Sequence, residues 1–453
     1  MATKQIFRET DGIRGKANYF PLDSETVLKM GKALAEYVKA TVETNPNRAY
    51  KVIIGKDTRR SGYLLEQALT AGFLSRGVDV MCIGPVPTPG LAHLVSSFAL
   101  DLGVQITASH NPYYDNGIKV FDRTGSKLND VKELEIERLY FQNEFPGIDE
   151  IGRAKRIEDV SGRYIEFIKS IVDNISLAGM KIVVDCANGA AYKTAPTVFE
   201  ELGAKVIKIG VDPNGYNINL DCGSLHPEKV REAVIAERAD LGIALDGDAD
   251  RVIMVDEKGN VIDGDYIMAL VAKYLKSRNE LQQDTLVVTQ YSNLSLDKEM
   301  SKYDIKVDRS VTNGDRFVAQ RLKEIKANFG GEQTGHFIFF DYCEVGDGTL
   351  ASLLVLKILK ESGKKLSEMA YTFTKYPQKT IAIPVKRKIP LDEIQELTEL
   401  QNSWKNKLGQ EGRIFMRYSG TEDLLRVMIE ANDQEDIDHA EKEFAEIINR
   451  ILN

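Results

Sequence analysis

Apolar and polar positions follow two distinct patterns along the chain. Short runs rich in β-branched residues are separated by longer segments in which apolar residues recur every three or four positions. The short runs are typical of buried strands, and the longer segments are typical of amphipathic helices. Their alternation predicts an α/β fold with mixed, mostly parallel sheets and helices on both faces.

The order of these runs repeats three times, which predicts three similar α/β domains. Each repeat has two strand–helix pairs, then a third strand, a polar loop and a fourth strand. The third strands and their loops are 101–106 before Ser109, 240–245 before Asp246, and 328–330 before Gly331. Because ligands bind beyond the carboxyl ends of strands in such sheets, we expect a site that draws on all three loops.

The last part of the chain departs from the repeat. A short segment contains three prolines, Pro377, Pro384 and Pro390, which is typical of a linker or the start of a domain. The pattern then predicts a small α+β module that ends in a helix over 437–452. We therefore predict four domains. Their boundaries are 1–155 with the Ser109 loop, 156–256 with the Asp246 loop, 257–370 with the Gly331 loop, and 371–453 as the C-terminal domain.

Composition narrows the possible partners and location. The 453 residues carry a formal net charge of −9 and no block of Lys and Arg, so we expect no nucleic-acid partner. An anionic substrate then needs a locally basic pocket. The four cysteines form no C-x-x-C pair, which is typical of reduced thiols in a cytoplasmic protein. We find no signal-peptide pattern and no apolar run long enough for a membrane span.

Asp246, Asp248 and Asp250 alternate with small residues. In extended backbone these side chains would share one side, where they repel each other unless a cation neutralises them. Hard oxygen ligands suit Mg²⁺, which favours phosphate partners. A calcium EF-hand is an alternative because Glu257 falls at loop position 12, but Arg251 stands where that loop needs glycine. Solvated surface acids are the other alternative.

Ser109 lies in a polar loop that reads Thr-Ala-Ser-His-Asn-Pro over 107–112. A turn residue or helix N-cap is the ordinary interpretation of such a serine. His110 suggests a hydrolase, but adjacent side chains seldom face each other and no G-x-S-x-G motif is present. The combination with Asn111 and Lys119 favours a serine that carries a phosphoryl group beside Mg²⁺, with Lys119 as a proton shuttle.

These motifs, in this order and along the whole chain, resemble those of the α-D-phosphohexomutases. The motifs that carry the resemblance are Thr-Asp-Gly-Ile-Arg-Gly-Lys-Ala-Asn at 10–18, Ser109 with its loop, Gly-Pro-Val-Pro-Thr-Pro at 84–89, Gly-Glu-Gln-Thr-Gly-His at 331–336, and Arg-Tyr-Ser-Gly-Thr-Glu at 417–422. The likeness is greatest to the bacterial branch that acts on glucosamine phosphate. It implies four domains around a central cleft.

The resemblance also implies a role for each candidate residue. Ser109 is the expected phosphoserine, and Asp246, Asp248 and Asp250 hold one Mg²⁺ with it. The residues expected around the transferring phosphoryl group are Arg14, His110, Lys119 and Arg251. Those expected to bind the sugar are Glu332, Thr334, His336, Gly314 and Asp315, and those expected to bind its other phosphate are Arg417, Ser419, Gly420 and Thr421. Taken alone, the loops at 331–336 and 417–421 are also compatible with ordinary polar turns. A helix or a strand is expected after the second of them, at 424–429.

The implied reaction interconverts glucosamine 6-phosphate and glucosamine 1-phosphate through a bisphosphorylated sugar, which also serves as activator. A phosphomannomutase/phosphoglucomutase is the main alternative, and a non-catalytic sugar-phosphate binding protein is a minor one. The expected partner is therefore a hexosamine or hexose phosphate. Monomer and homodimer both remain open.

Overall fold

The computed structural model describes residues 6–7, 12–42, 48–141, 144–158, 160–311, 313–419 and 423–453. By its internal contacts the chain divides into two compact units. The first comprises Met1–Tyr291 and Val307–Ala370, and the second comprises Ser292–Lys306 and Tyr371–Asn453. Among the described residues, no helix combines the length and apolar character needed to span a membrane.

The first repeat forms a six-stranded sheet in the order β1-β5-β4-β2-β3-β6. Its strands are β1 (Ile13–Lys16), β2 (Lys51–Lys56), β3 (Asp79–Pro85), β4 (Leu102–Ile106), β5 (Asp115–Asp122) and β6 (Ala154–Arg156), and its helices are α1 (Ser24–Thr41), α2 (Gly62–Leu74), α3 (Thr88–Ser97) and α4 (Asp130–Phe141). Strand β2 is parallel to β3 and β4, whereas β5 is antiparallel to β4. The sheet is thus mixed, as the run pattern predicts.

The second and third repeats use the same strand order. The second contains α5 (Ser161–Ile171), β7 (Lys181–Asp185), α6 (Thr194–Glu201), β8 (Lys205–Ile209), α7 (Glu228–Glu237), β9 (Leu241–Leu245), β10 (Val252–Asp256) and β11 (Val261–Ile262). The third contains α8 (Gly264–Ser277), β12 (Thr285–Thr289), α9 (Ser295–Ser301), β13 (Lys306–Val311), α10 (Asp315–Ile325), β14 (Phe329–Gly331), β15 (Phe337–Phe339), α11 (Gly348–Ser362) and α12 (Leu366–Ala370). The sheet orders β10-β9-β7-β8 and β15-β14-β12-β13 match β5-β4-β2-β3 of the first repeat, which confirms the predicted repetition.

Side-chain alternation along β2 explains why helices cover both faces of the first sheet. Val52 and Ile54 pack in one core with α1 and α2, whereas Ile53 packs in the other core with Leu91 and Val95 of α3. Successive strand residues point to opposite faces, so an unbroken apolar run requires a helix on each side.

Helices α1 and α2 cross at two glycines. A Cβ built on Gly72 would lie 2.4 Å from the carbonyl oxygen of Leu28 and 2.8 Å from Cα of Gly31. The backbones therefore approach more closely than any side chain would allow.

The C-terminal segment forms an antiparallel sheet covered by helices. Its elements are β16 (Gln378–Pro384), α13 (Gln395–Leu408), β17 (Gly412–Tyr418), β18 (Leu424–Ala431) and α14 (Gln434–Leu452), with strand order β16-β18-β17. Val427 and Ile429 share a core with Trp404 of α13 and Phe444 of α14. The predicted α+β module is confirmed, and a strand rather than a helix follows the 417–421 loop.

Candidate active site

The loop after β4 places Ser109 in a buried and unusual conformation. Its φ is +51°, in the left-handed region, and the residue is 2% exposed. Its Oγ donates a hydrogen bond to Oδ2 of Asp246 at 2.6 Å and lies 3.3 Å from Nδ1 of His110. Our expectation that Ser109 and His110 would not face each other is wrong, because the left-handed backbone turns Oγ toward the imidazole. Such conformations in non-glycine residues cluster at functional sites.

Asp246, Asp248 and Asp250 converge on one side of their loop. The predicted extended backbone is wrong: the loop is a turn in which the N–H of Ala249 donates to the carbonyl of Asp246 at 3.0 Å, and φ of Ala249 is +58°. One oxygen from each carboxylate lies within 4.8 Å of the others. The turn, and not strand alternation, gathers the three charges.

This cluster fits a hard cation. Nζ of Lys119 lies 2.8 Å from Oδ2 of Asp248 and 2.9 Å from Oδ2 of Asp250. Oδ1 of both aspartates is buried, and no donor in the part of the chain that the structure describes bonds to either. Buried acceptors without a partner are rare in native proteins, and an all-oxygen donor set suits Mg²⁺ or Ca²⁺.

The pKa values of Asp246 and Asp250 move in opposite directions. Burial, together with the charges of Asp250 and Asp248, raises the pKa of Asp246 well above its usual value. Burial acts on Asp250 in the same direction, but Lys119 and His336 outweigh it and lower the pKa of Asp250. A divalent cation at the cluster would favour the ionised form of all three carboxyl groups.

Arg14 and Arg251 add positive charge beside the serine. Nη1 of Arg14 donates to the carbonyl of Thr107 at 3.2 Å, the backbone N–H of Arg251 donates to Oδ1 of Asp246 at 3.2 Å, and Nε of Arg251 lies 4.0 Å from Oδ1 of Asp250. Burial, followed by the charges of Arg251 and Arg14, lowers the pKa of His110 to about 3. The imidazole of His110 is therefore neutral and weakly basic at neutral pH, which does not suit the general base of a hydrolase.

Glu332, Thr334 and His336 occupy the turn between β14 and β15. Oε1 of Glu332 accepts a hydrogen bond from the N–H of Gly314 at 2.9 Å, and Oγ1 of Thr334 lies 3.4 Å from Oε2 of Glu332. Nε2 of His336 lies 3.3 Å from Oδ2 of Asp315. Gly314 and Asp315, at the start of α10, thus contact the predicted sugar loop.

The loops of the three repeats meet in the first unit. Arg251 and His336 form an isolated antiparallel bridge. A Cβ on Gly247 would lie 2.6 Å from the carbonyl oxygen of Ser109, so the aspartate loop and the serine loop touch through their backbones. The candidates gathered around these contacts are Arg14, Ser109, His110, Lys119, Asp246, Asp248, Asp250, Arg251, Gly314, Asp315, Glu332, Thr334 and His336.

The remaining candidates belong to the second unit or lie outside the described residues. Arg417 is in β17, and Ser419 follows that strand and is buried. Gly420 and Thr421 are among the residues that the structure does not describe.

Two further cations accompany Arg417 and Ser419. Nζ of Lys388 lies 3.3 Å from the carbonyl oxygen of Ser419. Arg426 lies directly opposite Arg417 in the β17–β18 register. Nζ of Lys388 also lies 3.2 Å from Oδ1 of Asp423, so this end of the sheet carries three cationic side chains and one carboxylate.

The structure adds five residues that our sequence analysis left without a role: Asp57, Arg59, Thr88, Lys127 and Asn219. Thr88 donates to Oδ2 of Asp248, and Nζ of Lys127 lies 2.5 Å from Oδ2 of Asp315. Arg59 and Asn219 bond to the Ser109 loop. Asp57 and Arg59 directly follow β2, where the strand-end rule could have found them. No local pattern distinguishes Asn219.

Four sequence families match successive parts of the chain. They are described as phosphoglucomutase/phosphomannomutase α/β/α domain I at 4–147, domain II at 162–259, domain III at 263–376, and the C-terminal domain at 381–447.

Known proteins resemble the chain over its full length. A phosphoglucosamine mutase from Geobacter metallireducens is 50% identical over 99% of this chain and 99% of its own. A phosphoglucomutase/phosphomannomutase family protein from Burkholderia thailandensis superposes with a TM-score of 0.80 at 23% identity, covering 98% of each chain. Aspergillus fumigatus N-acetylphosphoglucosamine mutase, in complex with GlcNAc-6P and magnesium, has a TM-score of 0.67 at 19% identity, covering 98% of this chain and 96% of that one. The two structures support the fold.

Proposed function

Since the chain belongs to the phosphoglucomutase/phosphomannomutase family, we propose that it is a phosphohexomutase that interconverts glucosamine 6-phosphate and glucosamine 1-phosphate. One observation carries the reaction type: the buried hydroxyl of Ser109 bonds to Asp246 within a cluster of three carboxylates, two of which have a buried oxygen that accepts no hydrogen bond from the described residues. The relative at 50% identity supports glucosamine as the sugar.

Ser109 exchanges a phosphoryl group with the sugar. Starting from phosphorylated Ser109, the bond from phosphorus to Oγ breaks as a bond to O1 of glucosamine 6-phosphate forms. The step requires Lys119, our candidate proton shuttle, in its neutral amine form, which accepts the proton of that hydroxyl. The bisphosphorylated sugar then turns around, its 6-phosphoryl group returns to Oγ, and O6 takes the proton back from Lys119. A trace of the same bisphosphate serves as activator, because it phosphorylates Ser109 before the first turnover.

Positive charge around Oγ stabilises the transferring group. Arg14 and Arg251 are the side chains that we assign to its oxygens, with His110 as a neutral hydrogen-bonding neighbour. Catalysis of phosphoryl transfer depends mainly on such positioning and charge stabilisation.

Asp246, Asp248 and Asp250, with an oxygen of phosphorylated Ser109, would hold Mg²⁺. The buried Oδ1 atoms of Asp248 and Asp250, which accept no hydrogen bond from the described residues, support a cation, and the similar Aspergillus fumigatus enzyme is described with magnesium. Bound there, the ion neutralises charge on the transferring phosphoryl group.

We assign the remaining candidates to the substrate. Glu332 and Thr334 bind sugar hydroxyls with His336, Gly314 and Asp315 around them. The phosphate that does not react is bound by Arg417, Ser419, Gly420 and Thr421. The same residues bind a phosphate in both orientations of the bisphosphate. We also propose that the protein is cytoplasmic and is either a monomer or a homodimer. The four unpaired cysteines, all in described segments, support that location.

A coupled mutase assay tests the function. The purified protein is given Mg²⁺, a trace of bisphosphorylated sugar, and glucosamine, mannose or glucose 6-phosphate in turn. We expect the largest kcat/KM for glucosamine 6-phosphate. A larger kcat/KM for mannose or glucose 6-phosphate would support the mutase reaction but refute the preference for glucosamine. No turnover of any sugar by the phosphorylated enzyme would reject the mutase.

A further inference from the structure

Arg59 makes a buried contact with the Ser109 loop that the proposed reaction does not use. The residue is 0% exposed. Its guanidinium donates to the carbonyl oxygen of Ser109 at 2.9 Å, to that of Asn111 at 2.8 Å, and to that of Pro112. Three carbonyl groups of one short loop thus converge on one cation. A planar guanidinium offers several donors in fixed directions, which suits this arrangement.

Asp57 orients Arg59 and also holds the opposite side of Ser109. Oδ2 of Asp57 accepts hydrogen bonds from Nε of Arg59 at 2.8 Å and from Oγ1 of Thr107 at 2.7 Å. Oγ1 of Thr107 in turn accepts the N–H of Ser109 at 2.9 Å. The backbone of Ser109 is therefore fixed at its N–H through Thr107 and at its carbonyl through Arg59.

Asn219, from the second repeat, also bonds to the Ser109 loop. Its Nδ2 donates to the carbonyl oxygen of Ser109 at 2.8 Å and to that of Asn111 at 3.0 Å. The carbonyl oxygen of Ser109 thus accepts two hydrogen bonds, which uses both of its lone pairs. The ring of Tyr216 in the same loop packs edge-on against Tyr113, 5.4 Å between centroids.

We propose that Arg59 is a positioning residue for phosphoryl transfer, which acts with Asn219 to keep Ser109 in the left-handed conformation that aims Oγ at the aspartates. This inference rests on the proposed function. A left-handed backbone is unfavourable for a residue with a Cβ and persists only where its surroundings over-determine it. The hydrogen bonds from Arg59, Asn219 and Thr107 supply that constraint.

The first test compares Arg59→Lys with Arg60→Lys. Lysine keeps a positive charge beside Asp57 but concentrates its donors at one atom, so it cannot hold three separated carbonyl groups. Arg60 is the adjacent, exposed arginine and serves as the matched control. We expect Arg59→Lys to lower kcat about 10²-fold, the effect of a displacement of about 1 Å at a reacting group, with KM for glucosamine 6-phosphate unchanged. Arg60→Lys should match the wild type.

The second test replaces Asn219 by aspartate, which puts a carboxylate oxygen against two carbonyl oxygens. Asn219 is only half-buried, so this variant decides the matter if Arg59→Lys does not fold. Asn217→Asp is the control, because the side chain of Asn217 bonds to Asp212 within its own loop. We expect the same selective loss of kcat for Asn219→Asp and none for the control.

The outcomes separate the two proposals. The inference is refuted if the wild type turns over glucosamine 6-phosphate and either folded Arg59→Lys or Asn219→Asp has the wild-type kcat. The mutase function would then be retained. A wild-type protein that neither turns over sugar phosphate nor takes a phosphoryl group from the bisphosphate refutes the proposed function, and the inference falls with it.

Discussion

Ser109 becomes a reaction site through its neighbours rather than through its own chemistry. Its hydroxyl donates to Asp246, whose pKa is raised by burial and by the other two aspartates. The same carboxylates that crowd each other provide the place for a cation. Removing the hydroxyl should therefore remove the reaction and leave the loop intact.

We expect Ser109→Ala to have no mutase activity and a normal fold. Alanine keeps the N–H that bonds to Thr107 and the carbonyl that bonds to Arg59. The coupled assay measures activity, and circular dichroism measures folding. Ser176→Ala, at an exposed position, is the control. Substantial turnover by Ser109→Ala would be incompatible with a phosphoserine mechanism.

Asp347 should make stability depend on pH. Its carboxylate caps α11 by accepting the N–H of Leu350 at 2.9 Å, and it accepts the hydroxyl of Tyr164 at 2.7 Å. Burial outweighs these bonds and raises its pKa to about 6 from 3.8. The folded protein therefore holds this proton more tightly than the unfolded chain. The resulting stabilisation is complete below about pH 4 and is lost as pH rises to about 6.

Asp347→Asn removes this titration. Relative to the variant, the unfolding free energy of the wild type should fall by up to about 1.4 kcal/mol per pH unit between about pH 4 and 6. Urea unfolding at a series of pH values measures the difference. Parallel pH profiles for the two proteins would contradict the assignment. Asp149→Asn, at an exposed position, should follow the wild-type profile.

At the scale of elements, the sequence predicted the repeated strands closely. The third strands were expected at 101–106, 240–245 and 328–330 and are observed at Leu102–Ile106, Leu241–Leu245 and Phe329–Gly331. All three strands are buried along their whole length, and burial on both faces is typical of a central strand. The short strands β1, β6 and β11 were not predicted, because they lack such runs and depend on pairing with a neighbour, as β1 does with β5.

The crossing of α1 and α2 gives a prediction at this scale. Gly72→Ala should destabilise the protein by about 1–3 kcal/mol, because the added methyl meets the backbone of α1 and forces the helices apart. Gly162→Ala is the matched control: a Cβ there would meet nothing within 4 Å. Thermal unfolding of both variants measures the effect. Equal unfolding temperatures would show that the helices can separate at no cost.

At the scale of the whole molecule, the second unit is discontinuous in sequence. The N–H of Leu294 donates to Oε1 of Glu430 at 2.7 Å, and Nδ2 of Asn293 donates to the carbonyl of Tyr376 at 2.9 Å. The run pattern did not predict this, because α9 continues the third repeat without a break. Helix α9 belongs to the second unit only through its contacts with residues far along the chain, and no local sequence pattern predicts those contacts. The four domain boundaries stay predictions.

A chain that ends at Ala370 should therefore aggregate or unfold at a lower temperature. It lacks the groups that bond to 292–306, and Leu296 and Met300, both 0% exposed in the full chain, lie in that segment. Size-exclusion chromatography and thermal unfolding compare it with the full chain. Co-expression with 371–453 should restore the monodisperse species. A truncated chain that is monodisperse and equally stable would contradict the prediction.

The discontinuity has a consequence for biosynthesis. Leu294 and its partner Glu430 are separated by 136 positions. Ribosomes add about 5–20 residues per second, so the partner strand emerges roughly 7–27 s after helix α9. During that interval the apolar side chains of α9, Leu296 and Met300, lack their final partners. The speed of translation through the last third of the message thus sets how long a newly made molecule is exposed to misassembly and to capture by chaperones.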